Sequence, residues 1–250
     1  MRLIFSRFGG KKTKSKEIIG YFPEHQIYVE PFLGSGAIFL DKDPVKLSVL
    51  NDLDPLIYNI FNLTKKYGDE FDTINKSGGF DWTAIKERWE SYRLTLTDRT
   101  LDPCELLYRS LYVIIHSWSG RGSPFSQNRR RSPRFKRILS DYKDILKTTH
   151  IYQEDYLKII KYYDTPDTFF YLDPPYDVAL KNNYYEYDNE MTLEVLSETL
   201  KGLKGKFCLS LDITPKTTEL FKDFVCYTMN FTYRCSKSNK DEYLITNYTL

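Results

Sequence analysis

The chain has 250 residues and carries 36 lysines and arginines against 34 aspartates and glutamates, a formal net charge of +2. This length holds one large domain or one domain with an insertion, no apolar run is long enough to span a bilayer, and no signal peptide is visible. Four cysteines without CxxC spacing and three scattered histidines predict free thiols in a reducing cytoplasm and no metal site.

Basic charge is concentrated in two stretches. Residues 1–16 and 120–137 contain lysine and arginine but no acidic residue. Segregated positive charge in a nearly neutral protein indicates a polyanionic partner bound on one face. A single basic stretch is more often a solvated surface, so the inference of a polyanionic partner depends on the presence of both stretches.

The first motif is Gly9-Gly10-Lys11, which follows Arg7 and Phe8. Paired glycines before a lysine predict a turn that cradles an anion through backbone amides. By itself this signal is weak.

The second motif follows a predicted strand at residues 27–29. It consists of Glu30, Pro31, Phe32, Leu33, Gly34, Ser35 and Gly36, and the apolar residues 37–40 predict a helix start. Strand, glycine turn and helix together are typical of nucleotide binding, and Gly34 and Gly36 allow close approach of the backbone to a ligand. A third glycine is missing, which argues against a nicotinamide cofactor.

The next predicted strand, residues 47–50, ends in Asn51-Asp52-Leu53-Asp54. An acid at the end of the strand after the glycine turn is placed to bind a ribose diol. We assign this role to Asp52. Asp54 is the alternative, although its position before Pro55 is also typical of a helix cap.

Residues 67–148 break the alternation of strands and helices, with predicted helices at 82–94 and 103–118 and a basic loop at 119–137. Arginine with serine and asparagine is the residue set for phosphate contact and base-edge readout. A disordered basic loop is equally consistent with this composition. Phe125 and Phe135 are candidate wedges beside a displaced base. The candidate DNA-binding residues are Arg121, Phe125, Asn128, Arg129, Arg130, Arg131, Arg134 and Lys136.

A strand at residues 149–152 precedes Asp155 and Tyr156. An acid at the mouth of this strand can accept a hydrogen bond from an adenine amine. The alternative is an acidic helix start favoured by the helix dipole.

The strand predicted at residues 168–172 ends in Asp173-Pro174-Pro175-Tyr176. Proline cannot continue a central strand, so Asp173 lies where the chain leaves the sheet, at the edge where ligands bind. Asp173 and the Pro174 carbonyl can each accept one hydrogen of an exocyclic amine, and Tyr176 can stack on the base. These residues predict a catalytic site for an amino-bearing base.

The remaining chain predicts a polar loop at 177–189, a helix at 191–203, a strand at 207–211 and an antiparallel strand pair at 224–233 and 242–248. In this order the motifs resemble the Dam-type, D12-class DNA adenine-N6 methyltransferases. In that family the aspartate form of D-P-P-Y is typical of adenine-N6 enzymes, whereas serine is usual in cytosine-N4 enzymes.

The resemblance implies a fold class and a domain plan. We expect an α/β Rossmann-like methyltransferase sheet, mostly parallel with an antiparallel C-terminal strand, and a mainly helical DNA-recognition insert. The catalytic domain is expected at 1–66 and 149–250 and the insert at 67–148.

The resemblance also implies residue roles. Asp173, Pro174, Pro175 and Tyr176 are the expected catalytic residues. S-adenosylmethionine is the expected cofactor, held at its methionine end by the glycine–glycine–lysine element and at its adenine by Asp155 and Tyr156, with residues 177–189 closing over the base. The expected cofactor-binding residues are Arg7, Gly9, Gly10, Lys11, Glu30, Pro31, Phe32, Gly34, Ser35, Gly36, Asp52, Asp155, Tyr156 and Asp173. Arg7 departs from the family, which usually has an aromatic residue there.

The expected activity is methylation of adenine N6 in duplex DNA after base flipping. We expect a monomer that acts in a bacterial cytoplasm and is encoded by a bacterium or a bacteriophage. The alternatives are an RNA adenine methylase and an inactive DNA-binding protein on the same fold.

Overall fold

The computed structural model describes residues 2–126, 135–175, 192–233 and 238–250. The described strands, in chain order, are β1 (Ile27–Glu30), β2 (Leu47–Asn51), β3 (Thr149–Tyr152), β4 (Thr168–Leu172), β5 (Lys206–Asp212), β6 (Val225–Tyr233) and β7 (Ser238–Thr246). The described helices are α1 (Ser15–Ile19), α2 (Pro55–Lys76), α3 (Lys86–Arg93), α4 (Pro103–Ile115), α5 (Lys143–Lys147), α6 (Tyr156–Tyr163), α7 (Leu193–Lys201) and α8 (Pro215–Leu220). Short 3-10 turns lie at Lys11–Thr13, Trp118–Gly120 and Ser140–Tyr142.

The strands form one mixed sheet in the order β3-β2-β1-β4-β5-β7-β6. The first five are parallel, and β7 is antiparallel to both β5 and β6. The predicted Rossmann-like sheet with its antiparallel C-terminal strand is therefore confirmed.

Strand β1 sits where the strand order reverses. Ile27 is the register partner of both Leu47 on β2 and Thr168 on β4. Since the neighbouring strands are parallel, their carboxyl ends meet at one edge, and this reversal opens a crevice there. Glu30 at the end of β1 and Asp173 after β4 are therefore neighbours at the crevice.

Strand β4 is buried along its whole length, as its run of aromatic and apolar residues predicts. The ring of Phe169 packs against Phe22, with centroids 4.5 Å apart, and the Tyr171 hydroxyl lies 3.1 Å from Ser210 Oγ on β5. This packing holds the strand that carries Asp173.

Two predicted helices differ from the structure. Residues 37–40 form turns rather than a regular helix, and Pro44 follows soon after. The helix predicted at 82–94 is reduced to α3, because the Tyr112 hydroxyl donates to the Thr83 carbonyl at 2.6 Å and accepts from the Ile85 amide at 2.9 Å, which holds the preceding residues in an extended conformation.

The helix predicted to continue to residue 118 ends with α4. Beyond it the chain folds back on itself. The Ser126 amide donates to the His116 carbonyl and the Trp118 amide to the Pro124 carbonyl, both at 2.8 Å. These bonds replace the helical ones, so the start of the basic loop is a closed turn.

The insert shares its core with the sheet. Tyr28 and Phe169 of the sheet belong to the same buried hydrophobic cluster as Leu111 of α4. Helix α2 runs through the expected boundary at residue 66, with one non-helical residue at Tyr67. The division into a catalytic domain and an inserted domain stays a prediction.

Phe135 lies inside that shared core. Its ring packs on Trp82 with centroids 5.3 Å apart and on Phe71 at 6.1 Å, and 9% of it is exposed. A wedge must reach the DNA, so the role considered for Phe135 is wrong for this arrangement. Within the described ranges, no helix is long and apolar enough to cross a membrane.

Candidate active site

Three segments distant in sequence meet at Lys11. Its Nζ lies 3.0 Å from Asp173 Oδ1 and 3.1 Å from Glu242 Oε2 on β7. The Lys11 side chain is 3% exposed, Glu242 0% and Asp173 22%. The first glycine motif, the Asp-Pro-Pro motif and the last strand thus share one buried ion cluster whose open side is at Asp173.

The charge on Lys11 depends on its two carboxylate partners. Burial disfavours the ammonium form, but the charges and hydrogen bonds of Asp173 and Glu242 outweigh it and leave the pKa of Lys11 above its usual value. Lys11 is therefore positively charged at neutral pH.

The glycine turn after β1 has one open and one packed glycine. Both Gly34 (φ +51°) and Gly36 (φ +65°) are in the left-handed region that favours glycine. A Cβ on Gly34 would meet nothing within 4 Å, whereas one on Gly36 would lie 2.7 Å from the Phe61 ring. Gly34 faces open space that a ligand can occupy, while Gly36 lets α2 pack against the turn.

The two glycine motifs are adjacent. A Cβ on Gly10 would lie 3.2 Å from Ser35 Oγ, and Gly9 (φ +78°) has open space around it. The anion-cradling turn expected at Gly9-Gly10 is thus next to the glycine turn after β1, and together they line one side of the crevice.

Asp52 holds the glycine turn from the end of β2. Its Oδ2 accepts from the Gly34 amide at 2.8 Å and its Oδ1 from the Asp54 amide at 3.1 Å. Burial raises the pKa of Asp52 to about 6, although Arg7 and these hydrogen bonds oppose the rise. Asp52 is therefore at the crevice, with part of its acceptor capacity used by the backbone.

Asp54 has a structural role. Its Oδ1 accepts from the Leu56 amide at 3.0 Å, which caps α2, and its Oδ2 forms an ion pair with Arg7 at 3.0 Å. The alternative ribose-binding role for Asp54 is thus disfavoured, and the arginine at the usual aromatic position ties the N-terminal segment to α2.

Glu30 is 2% exposed and its Oε2 accepts from the Tyr28 hydroxyl at 2.7 Å. Burial is the main reason why the pKa of Glu30 rises to about 8, and the charge of Asp173 raises it further, while the Tyr28 hydrogen bond and Lys42 oppose the rise. Glu30 is mostly protonated at neutral pH, so Glu30 itself adds little negative charge beside Asp173. Pro31 next to it is also buried.

Asp155 and Tyr156 lie at the end of β3. Asp155 accepts from the Leu157 amide at 2.8 Å and caps α6, as the alternative interpretation predicts. The Tyr156 ring packs against Phe32, with centroids 5.1 Å apart. The second glycine motif and the β3 end therefore share an aromatic wall, which suits a flat adenine ring.

Sequence reasoning gave no role to Asn51, which links three loops at the crevice. Its Nδ2 donates to the carbonyls of Pro31 at 3.0 Å and Glu154 at 2.9 Å, and its Oδ1 accepts from the Glu154 amide at 3.0 Å. An amide directly before the acid at a strand end is the only signal that could have identified it.

An aromatic pair beside the insert was also missed. The Phe8 and Trp118 rings stack with centroids 6.2 Å apart, and the Arg121 guanidinium lies 3.8 Å from the Phe8 centroid and 4.6 Å from that of Trp118. Phe8 is 39% and Trp118 47% exposed. This Phe8–Trp118–Arg121 stack joins the two basic stretches on the surface.

The other predicted site residues are less informative. Pro174 is buried, Pro175 and Phe125 are half-buried with Phe125 near the Trp89 ring, and Lys136 is exposed. Tyr176, the closing loop at 177–189, and the insert residues Asn128, Arg129, Arg130, Arg131 and Arg134 lie outside the described residues. In the described ranges, no three His, Cys, Asp or Glu side chains are grouped to hold a metal ion.

Comparisons with known proteins identify the family of the chain. A family model described as D12 class N6 adenine-specific DNA methyltransferase matches residues 8–234. The chain is 25% identical to Type II methyltransferase M1.LlaDCHI of Lactococcus lactis subsp. cremoris, covering 96% of this chain and 93% of that protein. It is 26% identical to the DNA adenine methylase of Escherichia coli (strain K12), with 78% and 74% covered. It is 24% identical to Type II methyltransferase M.CviBI of Paramecium bursaria Chlorella virus NC1A, with 90% and 88% covered.

Proposed function

Because the chain belongs to the D12 class of N6 adenine-specific DNA methyltransferases, we propose that it methylates adenine N6 at the crevice between β1 and β4, with Asp173 as the acceptor of the target amine. One observation carries this proposal. The open carboxylate of Asp173 is held by buried Lys11 at the edge where the strand order reverses.

Several features of the crevice support S-adenosylmethionine as the proposed cofactor. Open space at Gly34, acceptor oxygens on Asp52 and the aromatic wall of Phe32 and Tyr156 suit its amino-acid, ribose and adenine parts. Gly9, which has open space around it, lies beside the same turn, while the Gly10 amide donates to the Arg7 carbonyl at 3.2 Å. When bound, S-adenosylmethionine supplies a methyl group made electrophilic by its sulfonium.

The protein contributes to the reaction by holding the target amine in a reactive geometry. The lone pair of the adenine amine is conjugated into the ring, which makes it a poor nucleophile. Hydrogen bonds from N6 to the Asp173 carboxylate and the Pro174 carbonyl favour a tetrahedral nitrogen whose lone pair is free to react. Positioning supplies much of the rate, and a charge-stabilising acceptor of this kind adds about 10² to 10⁴-fold.

The target base must leave the duplex to reach Asp173, at a cost of a few kcal/mol. Tyr176, next to Pro175 in the chain, is proposed to stack on the flipped base, which recovers about 1–3 kcal/mol. Double-stranded DNA is the proposed partner, bound by the exposed Phe8–Trp118–Arg121 stack and the arginines of the insert. We further propose that the enzyme acts as a monomer in a bacterial cytoplasm.

The test is transfer of labelled methyl from S-adenosylmethionine to unmethylated plasmid DNA, followed by nanopore mapping of modified adenines. We expect label on adenine within a short sequence motif. An equal amount of label on single-stranded RNA would move the substrate to RNA. Tight DNA binding without any transfer would identify an inactive DNA-binding protein on this fold.

A further inference from the structure

Glu242 is a fully buried carboxylate that the mechanism above does not use. It lies on β7 in register with Asp212 on β5 and Met229 on β6. Its side chain is 0% exposed, and its Oε2 lies 3.1 Å from Lys11 Nζ. A buried carboxylate is costly unless it is paired, and here its partner is the lysine that also holds Asp173.

The three charges have a definite sum. Lys11 contributes one positive charge and the two carboxylates contribute one negative charge each, so the cluster carries a net charge of about −1 when both carboxylates are ionised. Without Glu242 the pair of Lys11 and Asp173 would be neutral, and the full ammonium charge would act on Asp173. An acceptor with a neutralised charge is a weaker partner for an amine that becomes positive as it reacts.

Glu242 also restricts where Lys11 can lie. A lysine side chain has four rotatable bonds and makes hydrogen bonds in several directions. With partners at 3.0 Å and 3.1 Å, its Nζ is held between β4 and β7. Because Asp173 is 22% exposed and lies just beyond the end of its strand, this contact limits the orientations of the carboxylate.

We propose that Glu242 is a positioning residue for methyl transfer. It holds Lys11 and offsets part of its charge, so that Asp173 stays oriented towards the target amine and its negative charge is less fully neutralised by Lys11. Glu242 itself is buried behind Lys11 and acts through it. This inference rests on the proposed role of Asp173, and it adds a residue outside the range matched by the family model.

The first experiment compares Glu242→Gln with the wild type in single-turnover methyl transfer at saturating cofactor and DNA. We expect the rate to fall about 10- to 100-fold, the range of a misplaced catalytic group, while the dissociation constants for cofactor and DNA stay near those of the wild type. Asp241→Asn is the matched control, because Asp241 is the exposed neighbour of Glu242 on the same strand. Its carboxylate accepts a hydrogen bond from the Asn230 side-chain amide at 2.9 Å. It should react at the wild-type rate. A wild-type rate for Glu242→Gln would overturn the proposal.

A double-mutant cycle separates a role through Lys11 from an independent one. In the Lys11→Met background, Glu242→Gln should cause no further loss of rate, because the ammonium charge that Glu242 offsets is already absent. An equal loss in both backgrounds would contradict the proposal. Should Glu242→Gln alone fail to fold, Lys11→Met/Glu242→Gln removes the opposite charges together, and its comparison with Lys11→Met decides the matter.

A final measurement is independent of activity. The pKa of the Asp173 carboxyl is followed by ¹³C NMR, with the signal assigned by its loss in Asp173→Asn. Among the described residues, Lys11, Glu30 and Tyr171 act electrostatically with Asp173, and Asp212 is the register partner of Glu242. Glu242→Gln should lower this pKa, since a nearby negative charge is lost and Lys11 acts undivided.

An unchanged Asp173 pKa would contradict the charge-sharing role. If the wild type transferred no methyl group, the proposed catalytic function would fail, and this pKa shift would still decide whether Glu242 tunes Asp173 through Lys11.

Discussion

The sheet and the insert differ in how their motif residues are presented. At the carboxyl ends of β1, β2 and β4, the polar residues Asp52 and Asp173 lie at one crevice although 121 positions separate them in the chain. In the insert, Phe135 from the basic loop is buried, whereas Trp118, directly before that loop in the chain, is exposed. In a parallel sheet, the residues that follow each strand lie at a known edge. In a helical insert, by contrast, an aromatic residue can be either buried or exposed.

Asp173→Asn tests the sheet side of the comparison and should have the largest effect. The amide cannot act as an anionic acceptor, so we expect the single-turnover rate to fall by about 10³-fold or more. Calorimetry should show cofactor binding largely intact, because Asp173 is one contact among many. An equally large loss of cofactor affinity would mean that Asp173 binds the cofactor instead of the amine.

Phe135→Ala tests the insert side. Removing a buried ring that packs on Trp82 and Phe71 should lower the free energy of unfolding by about 3–5 kcal/mol. DNA affinity of the folded variant should not change. Urea unfolding and a binding titration measure the two quantities, and weakened DNA binding at unchanged stability would restore the wedge role.

Replacing Arg129, Arg130 and Arg131 with alanine tests whether the basic loop contacts phosphates. If each makes one phosphate contact, the slope of log K against log salt should become about three units less steep, and DNA affinity should fall at low salt. Fluorescence anisotropy over a salt series measures both. An unchanged slope would remove this part of the insert from the DNA interface.

Trp118→Ala is the exposed counterpart of Phe135→Ala. Loss of its stacking surface should weaken DNA binding by about 1–3 kcal/mol. Because Trp118 is 47% exposed, the urea midpoint should change little. A large stability loss with normal DNA affinity would place Trp118 with the core aromatics and weaken the comparison.

Glu30 is a sheet motif residue that is buried, and its pKa of about 8 makes stability depend on pH. In the folded protein the Glu30 carboxyl keeps its proton at pH values above 4.5, its ordinary pKa. In the unfolded chain the same carboxyl is ionised at these pH values. Unfolding therefore releases a proton in this range, and stability falls as pH rises from 4.5 towards 8. Relative to Glu30→Gln, which cannot ionise, the wild type should lose about 1.4 kcal/mol between pH 6 and pH 7. An equal difference between the two proteins at both pH values would show that Glu30 is ionised in the fold.

Local motifs were enough to predict the strands and the acid that follows β4. Strand β4 was predictable because five residues rich in aromatic and apolar side chains, followed by Asp173 and two prolines, favour a buried strand that ends at this point. The caps at Asp54 and Asp155 were predictable as alternatives, since an acid before a helix start has a local partner in the backbone.

The local sequence was therefore sufficient for the strands and for the acids at their ends, because each depends on neighbours within a few residues, and the fold class followed from the family that the order of the motifs resembles. Only the tertiary structure decided which partners those acids have. The contact of Lys11 with Asp173 and Glu242 joins residues 162 and 231 positions apart, and the Asn51 amide reaches Glu154 across 103 positions. Such contacts exist only after the sheet is assembled, because no local pattern states which side chains a strand order brings together.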